Sequence, residues 1–157
     1  MLAAAINAPV GMTALVRQQL MGQWCERQTQ IIPSEAVCAV GAFWHLREHL
    51  YDQDVNYFVD SQSAVEALIK GTCSASDVAD IANVAHLLWL LLRTRVWIEW
   101  VDSDSNPSDG LSRDGLSDAW TTQQGWALSE VEFPEALCCR QQGVSLWDQV
   151  LAAFASS

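Results

Sequence analysis

The chain has 157 residues, half of them hydrophobic, and a mean hydropathy of +0.09; that suits one compact domain with a real core. Its longest dense apolar run, Leu87–Leu92 inside Ile81–Leu92, falls far short of the roughly 20 residues of a membrane span. Nineteen Asp and Glu against eight Lys and Arg give a formal net charge of −11 with no basic run, which argues against tight autonomous binding to RNA or DNA.

No charged n-region, apolar h-region and cleavage site opens the chain, so a soluble, intracellular protein is expected. The five cysteines, Cys25, Cys38, Cys73, Cys138 and Cys139, include no CxxC pair. With His45, His49 and His86 scattered, they read as buried reduced thiols rather than as a zinc site.

Taken in chain order, Leu2–Asn7 reads as a short strand and Ala8–Met12, with Pro9 and Gly11, as a turn. Thr13 begins a short helix through about Trp24. Gln28–Ile32 alternates polar and β-branched residues, which predicts a short strand. Pro33 and Ser34 introduce a helix over about Glu35–Leu50, where Val37, Val40, Phe43, Trp44 and Leu46 recur at helical spacing. Val55–Asp60 is a strand. A helix over about Ser63–Lys70 ends at Gly71. Ser74 and Asp77 have the spacing of a capping box for a long, buried helix, Asp77–Arg93. Arg95–Val101 is a further strand. Asp102–Asp118 is an acidic loop with one short helix, and Ala119–Ser157 is a tail whose Ser145–Phe154 has helical periodicity.

Strands joined through helices predict an α/β fold with parallel neighbours, and ligands in such sheets sit beyond the carboxyl ends of the strands. Three acids converge there: Glu35 at a helix start, Asp60 at a strand end and Asp109 in the loop after the next strand. Each has a plain alternative. Glu35 suits a first-turn acid on the helix dipole, Asp60 suits an N-cap, and Asp109 suits a solvated loop. Together, carboxylates in one crevice repel each other, and a hard divalent cation, Mg2+ or Mn2+, is the usual remedy. Two such ions roughly 4 Å apart recur in phosphodiester hydrolysis. Trp44, Trp89 and Trp97 are expected in the core, His86 as a satisfied core histidine, and Trp120, Trp126 and Trp147 over a hydrophobic edge.

Glu35–Ala39 (EAVCA), Tyr57–Val65 (YFVDSQSAV) with Ala67–Gly71 (ALIKG), and Trp100–Arg113 (WVDSDSNPSDGLSR) together resemble the ribonuclease H-like domain of retroelement reverse transcriptases, especially the DIRS and related tyrosine-recombinase type. The resemblance spans about Leu2 to Asp114. It implies a ribonuclease H-like mixed sheet flanked by helices over residues 1–118, followed by a C-terminal tail over residues 119–157. It also implies magnesium-dependent hydrolysis of RNA in an RNA–DNA hybrid. Glu35, Asp60 and Asp109 match the family's metal-binding carboxylates. Asn106 and Ser61 match positions beside that site, and Arg113 matches a closing arginine of structural role.

Two departures qualify that expectation. The family's first strand carries a catalytic aspartate, but no Asp occurs within Met1–Ser34. A domain truncated at its N-terminus is expected, with its first strand missing and its two-metal catalysis impaired or lost. The stretch from Glu99 to Asp118 also carries six acids against Arg113 alone, so basic surface would have to come from an adjacent reverse transcriptase domain. The competing expectation is a non-catalytic remnant or protein-interaction module that retains the core. A weaker one is an integrase-like polynucleotidyl transferase, against which the Ser-Arg ending counts.

Overall fold

The computed structural model of the chain describes residues 2–5, 8–13, 24–130, 133, 135–138 and 141–156. The elements run β1 (Leu2–Ala5), β2 (Ala8–Thr13), α1 (Ile31–His45), α2 (Arg47–Leu50), β3 (Asp54–Val59), α3 (Gln62–Lys70) and α4 (Ser76–Leu91). They continue with β4 (Arg95–Trp100), α5 (Asp109–Asp114), α6 (Ala119–Gln123), β5 (Ala127–Glu130), α7 (Glu135–Cys138) and α8 (Leu146–Ala155). The chain is a mixed α/β protein. No helix among the described residues is long and apolar enough to cross a membrane.

Among the described residues the strands form two sheets. β3 and β4 run parallel, in register from Asp54 opposite Arg95 to Val59 opposite Trp100, and are joined through α3 and α4 as a parallel pair must be. In the other sheet β2 is central, antiparallel to β1 and parallel to β5. The stretch expected as a turn at Ala8–Met12 is therefore strand. Pro9 is tolerated because β5 begins pairing at Val10, so the missing N–H lies outside that ladder.

The core lies between α1 and α4. Val37, Val40 and Phe43 meet Ile81, Val84 and Leu88, with Leu68 of α3 and Val150 of α8 closing the sides. Each fully buried Leu or Phe contributes about 1.5–3 kcal/mol. The inner face of the β3–β4 sheet, Val55, Tyr57, Val96 and Ile98, packs on this cluster. Phe43 stands edge-on to Tyr57 and Trp89, at centroid distances of 5.9 and 5.7 Å. Gly41 makes room for the Phe133 ring: a Cβ there would lie 2.7 Å from Phe133 Cε1.

Several local expectations give way to longer-range packing. Gln28–Ile32 is not a strand, since α1 begins at Ile31 with Pro33 in its first turn, where a missing N–H costs nothing. The expected helix over Thr13–Trp24 falls largely outside the described residues, and Thr13 itself closes β2. No capping box forms at Ser74. Ala75 is the N-cap of α4 and makes no side-chain bond. Asp77 instead receives Arg27 Nη2 at 2.6 and 2.7 Å and the Cys25 amide at 2.8 Å.

Trp97 is 68 % exposed rather than in the core, because the β4 alternation turns Val96 and Ile98 inward. The described thiols are not uniformly buried: Cys25 is exposed, Cys38 and Cys73 are half-buried and Cys138 is buried. Gly71 does end α3 in the left-handed conformation, at φ 65°. His86 donates Nε2–H to the Leu68 carbonyl, a satisfied histidine.

Candidate carboxylate site

β3 delivers Asp60. The strand ends at Val59, whose carbonyl takes the Val101 amide at 3.0 Å, and the chain then turns into α3. Ser61, not Asp60, is the N-cap, accepting the Ala64 amide at 3.3 Å. That leaves the Asp60 carboxylate uncommitted to the helix. Trp100 Nε1 donates to the Asp60 carbonyl at 3.2 Å and fixes the turn.

β4 leads to the second acid. Asp102 caps the tight turn Ser103–Ser105 by accepting the Asp104 amide at 3.0 Å. Asn106 then organises the loop. Its Oδ1 accepts the Ser108 amide at 3.0 Å and the Ser108 hydroxyl at 2.7 Å, an Asx turn. Its Nδ2 donates to Asp60 Oδ2 at 3.1 Å, so a single side chain ties the end of β3 to the loop after β4. Asp109 opens α5, and its Oδ2 pairs with Arg113 Nη2 at 2.9 Å. Gly110 is required next to it: a Cβ there would fall 2.1 Å from Asp118 Oδ1. Asp118 is held as the N-cap of α6, taking the Thr121 amide at 2.7 Å.

α1 supplies Glu35. Because the helix starts at Ile31, Glu35 lies in its second turn and not in the first, where the dipole would favour it. Burial, and then the negative charge of Asp60, push its carboxyl above the usual range. Among the described residues no hydrogen bond or ion pair engages that carboxylate.

The three acids line one pocket of about 460 Å³, together with Cys38, Tyr57 and Asn106. Burial, and then Glu35, push the Cys38 thiol up to about 12. Burial also raises the Tyr57 phenol, with Cys38, Glu35 and Asp60 adding to it. Both are therefore neutral at pH 7. Cys38 and Tyr57 go beyond the sequence expectation; the i, i+3 spacing of Glu35 and Cys38 was the available signal.

Among the described residues no three His, Cys, Asp or Glu side chains stand close enough to share one metal ion. The donor set is hard oxygen and suits Mg2+ or Mn2+. The spacing, by contrast, requires the carboxylates to converge before one ion could hold all three. No family model matches the chain, and no match was found among curated proteins or solved structures.

Proposed function

We propose that the chain is a ribonuclease H-like domain of a retroelement reverse transcriptase, acting on RNA in RNA–DNA hybrids. One observation carries the reading: Glu35, Asp60 and Asp109, from three separate elements, line one pocket beyond the carboxyl ends of the parallel strands β3 and β4. In this reading the three carboxylates converge to hold Mg2+ or Mn2+, which would supply Lewis acidity and an activated water. Asn106 keeps Asp60 aimed at the pocket. The family's first aspartate has no counterpart within Met1–Ser34, where no Asp occurs. Residual hydrolysis is then weak. With a net charge of −11, hybrid binding would depend on basic surface from an adjacent reverse transcriptase domain.

The test is cleavage of a labelled RNA–DNA hybrid with Mg2+ or Mn2+, comparing the native chain with Asp60→Asn and Asp109→Ala. Divalent-dependent cleavage lost in both variants supports the reading. Cleavage that survives both would remove the site.

A second reading, an interaction module that keeps the α/β core without catalysis, is favoured by the absence of a three-acid ion site among the described residues. Calorimetry separates the two. Saturable Mn2+ binding lost in Asp109→Ala supports the metal site, and no binding supports the module.

A further inference from the structure

The β3–β4 sheet buries only one face. Its other face presents Asp54, Asn56 and Phe58 on β3 and Arg95, Trp97 and Glu99 on β4, by strand alternation. Phe58 is 57 % exposed and Trp97 68 % exposed. Asn56 stands opposite Trp97 and Phe58 opposite Glu99, so the two aromatic rings are diagonal neighbours on one surface. Large aromatics paired on an open sheet face mark a binding surface rather than scattered surface apolarity. Among the described residues no element covers them.

Charge decides the occupant. At one end of the face Arg95 is committed to Asp54 through its Nε and lies 3.5 Å from Asp52. At the other end stands Glu99, with Asp102 and Asp104 in the turn that follows β4. Between Arg95 and Arg113 the chain has four acids and no Lys or Arg, and Arg113 is itself paired with Asp109. The face is thus an aromatic centre with an anionic end. A second copy would bring like charge against like. Nucleic acid and anionic lipid would meet the same repulsion.

We propose that the outer face of the β3–β4 sheet, centred on Phe58 and Trp97, is a docking surface for a basic segment of a partner protein that presents an apolar stripe flanked by Lys or Arg. The aromatic pair supplies the desolvated anchor. Glu99 and the acids of the turn after β4 supply orientation and on-rate.

The test uses the full chain and an amphipathic leucine–lysine peptide, with a leucine–glutamate peptide of the same pattern as control, followed by calorimetry or fluorescence anisotropy. The lysine peptide is expected to bind saturably and the glutamate peptide not at all. Phe58→Ser combined with Trp97→Ser should weaken binding at least about tenfold while leaving the circular dichroism spectrum unchanged, since both side chains are exposed. Glu99→Lys, a single exposed change, should weaken it several-fold and flatten its salt dependence. Failure of the lysine peptide to bind overturns the proposal. So does equal binding of the two peptides, or binding that the double substitution leaves intact. A native chain that dimerises while the double variant stays monomeric would assign the face to a second copy instead.

Discussion

The carboxylates of Glu35, on α1, and Asp60, at the end of β3, face the same pocket, and among the described residues no cation is paired with either. The two acids come from distant parts of the chain, so the repulsion is imposed by the fold. It raises the Glu35 pKa after burial has already done so.

That relationship predicts a stabilising substitution. An acid whose folded pKa lies above its unfolded value penalises the native state once it is charged. The penalty is full at neutral pH and is relieved as pH falls through the folded value toward about 4.3, the unfolded one. Glu35→Gln should therefore raise the melting temperature by a few degrees at pH 7 in chelating buffer, with the gain vanishing near pH 4. Thermal melts across that range would check it. Added Mn2+ should stabilise the native chain and have little effect on the variant, since the cation relieves the same repulsion.

The Arg27–Asp77 clamp has the opposite pH sign. Burial alone would raise the Asp77 pKa, but the Arg27 hydrogen bonds and the amides of Cys25 and Val78 hold it below the usual carboxylate range. A depressed folded pKa gives stability that is complete above the unfolded value of about 3.9 and is lost as pH falls through the folded one. Asp77 is 8 % exposed. Arg27→Met would strand its charge, at a cost of about 2–3 kcal/mol at pH 7. Denaturant titrations should show the difference between the native chain and the variant narrowing below pH 4.

The sequence signals for Asp77 and for the β3 and β4 strands differ in range. Val55–Asp60 and Arg95–Val101 announce themselves by β-branched and aromatic residues within a few positions, and Gly71 stops α3 by its own backbone freedom. The spacing of Ser74 and Asp77 is an equally local signal, but it lost to Arg27, 50 residues away in sequence. Trp97 shows a different limit. Alternation in β4 fixes that Val96 and Ile98 share a face opposite Trp97, but not which face is buried; the approach of α1 and α4 settles that. Asp60 as a helix cap was a close competitor, and one position decided it, because Ser61 takes the cap and leaves Asp60 to the pocket. Glu35, Asp60 and Asp109 come from a helix, a strand end and a post-strand loop, and all three line one pocket. How far apart they stand depends on packing that no local pattern encodes.

Gly41 carries a packing requirement inside α1. Gly41→Ala gains up to about 1 kcal/mol of helix propensity, but its methyl would sit 2.7 Å from Phe133 Cε1. Overpacking of this kind costs about 1–3 kcal/mol, so net destabilisation of about 1–2 kcal/mol is expected by chemical denaturation. Combining it with Phe133→Leu should cost less than the sum of the two single changes, because the ring that clashes is gone.

Arg113 tests the role of Asp109 with a sign that a purely structural account does not share. Its guanidinium holds Asp109 Oδ2 at 2.9 Å, while its own side chain is 70 % exposed. As an exposed i, i+4 pair it stabilises α5 by only about 0.3–0.5 kcal/mol, and Arg113→Gln should lower global stability by no more than that. The same substitution removes a positive charge from beside a proposed cation ligand and frees the ligating oxygen. A unit charge about 4 Å away in water is worth about 1 kcal/mol, or roughly fivefold in affinity. Mn2+ affinity measured by calorimetry should therefore rise about fivefold in Arg113→Gln and be lost in Asp109→Ala. Unchanged affinity in Arg113→Gln would place the ion away from Asp109 and leave Glu35 and Asp60 as the pair that holds it.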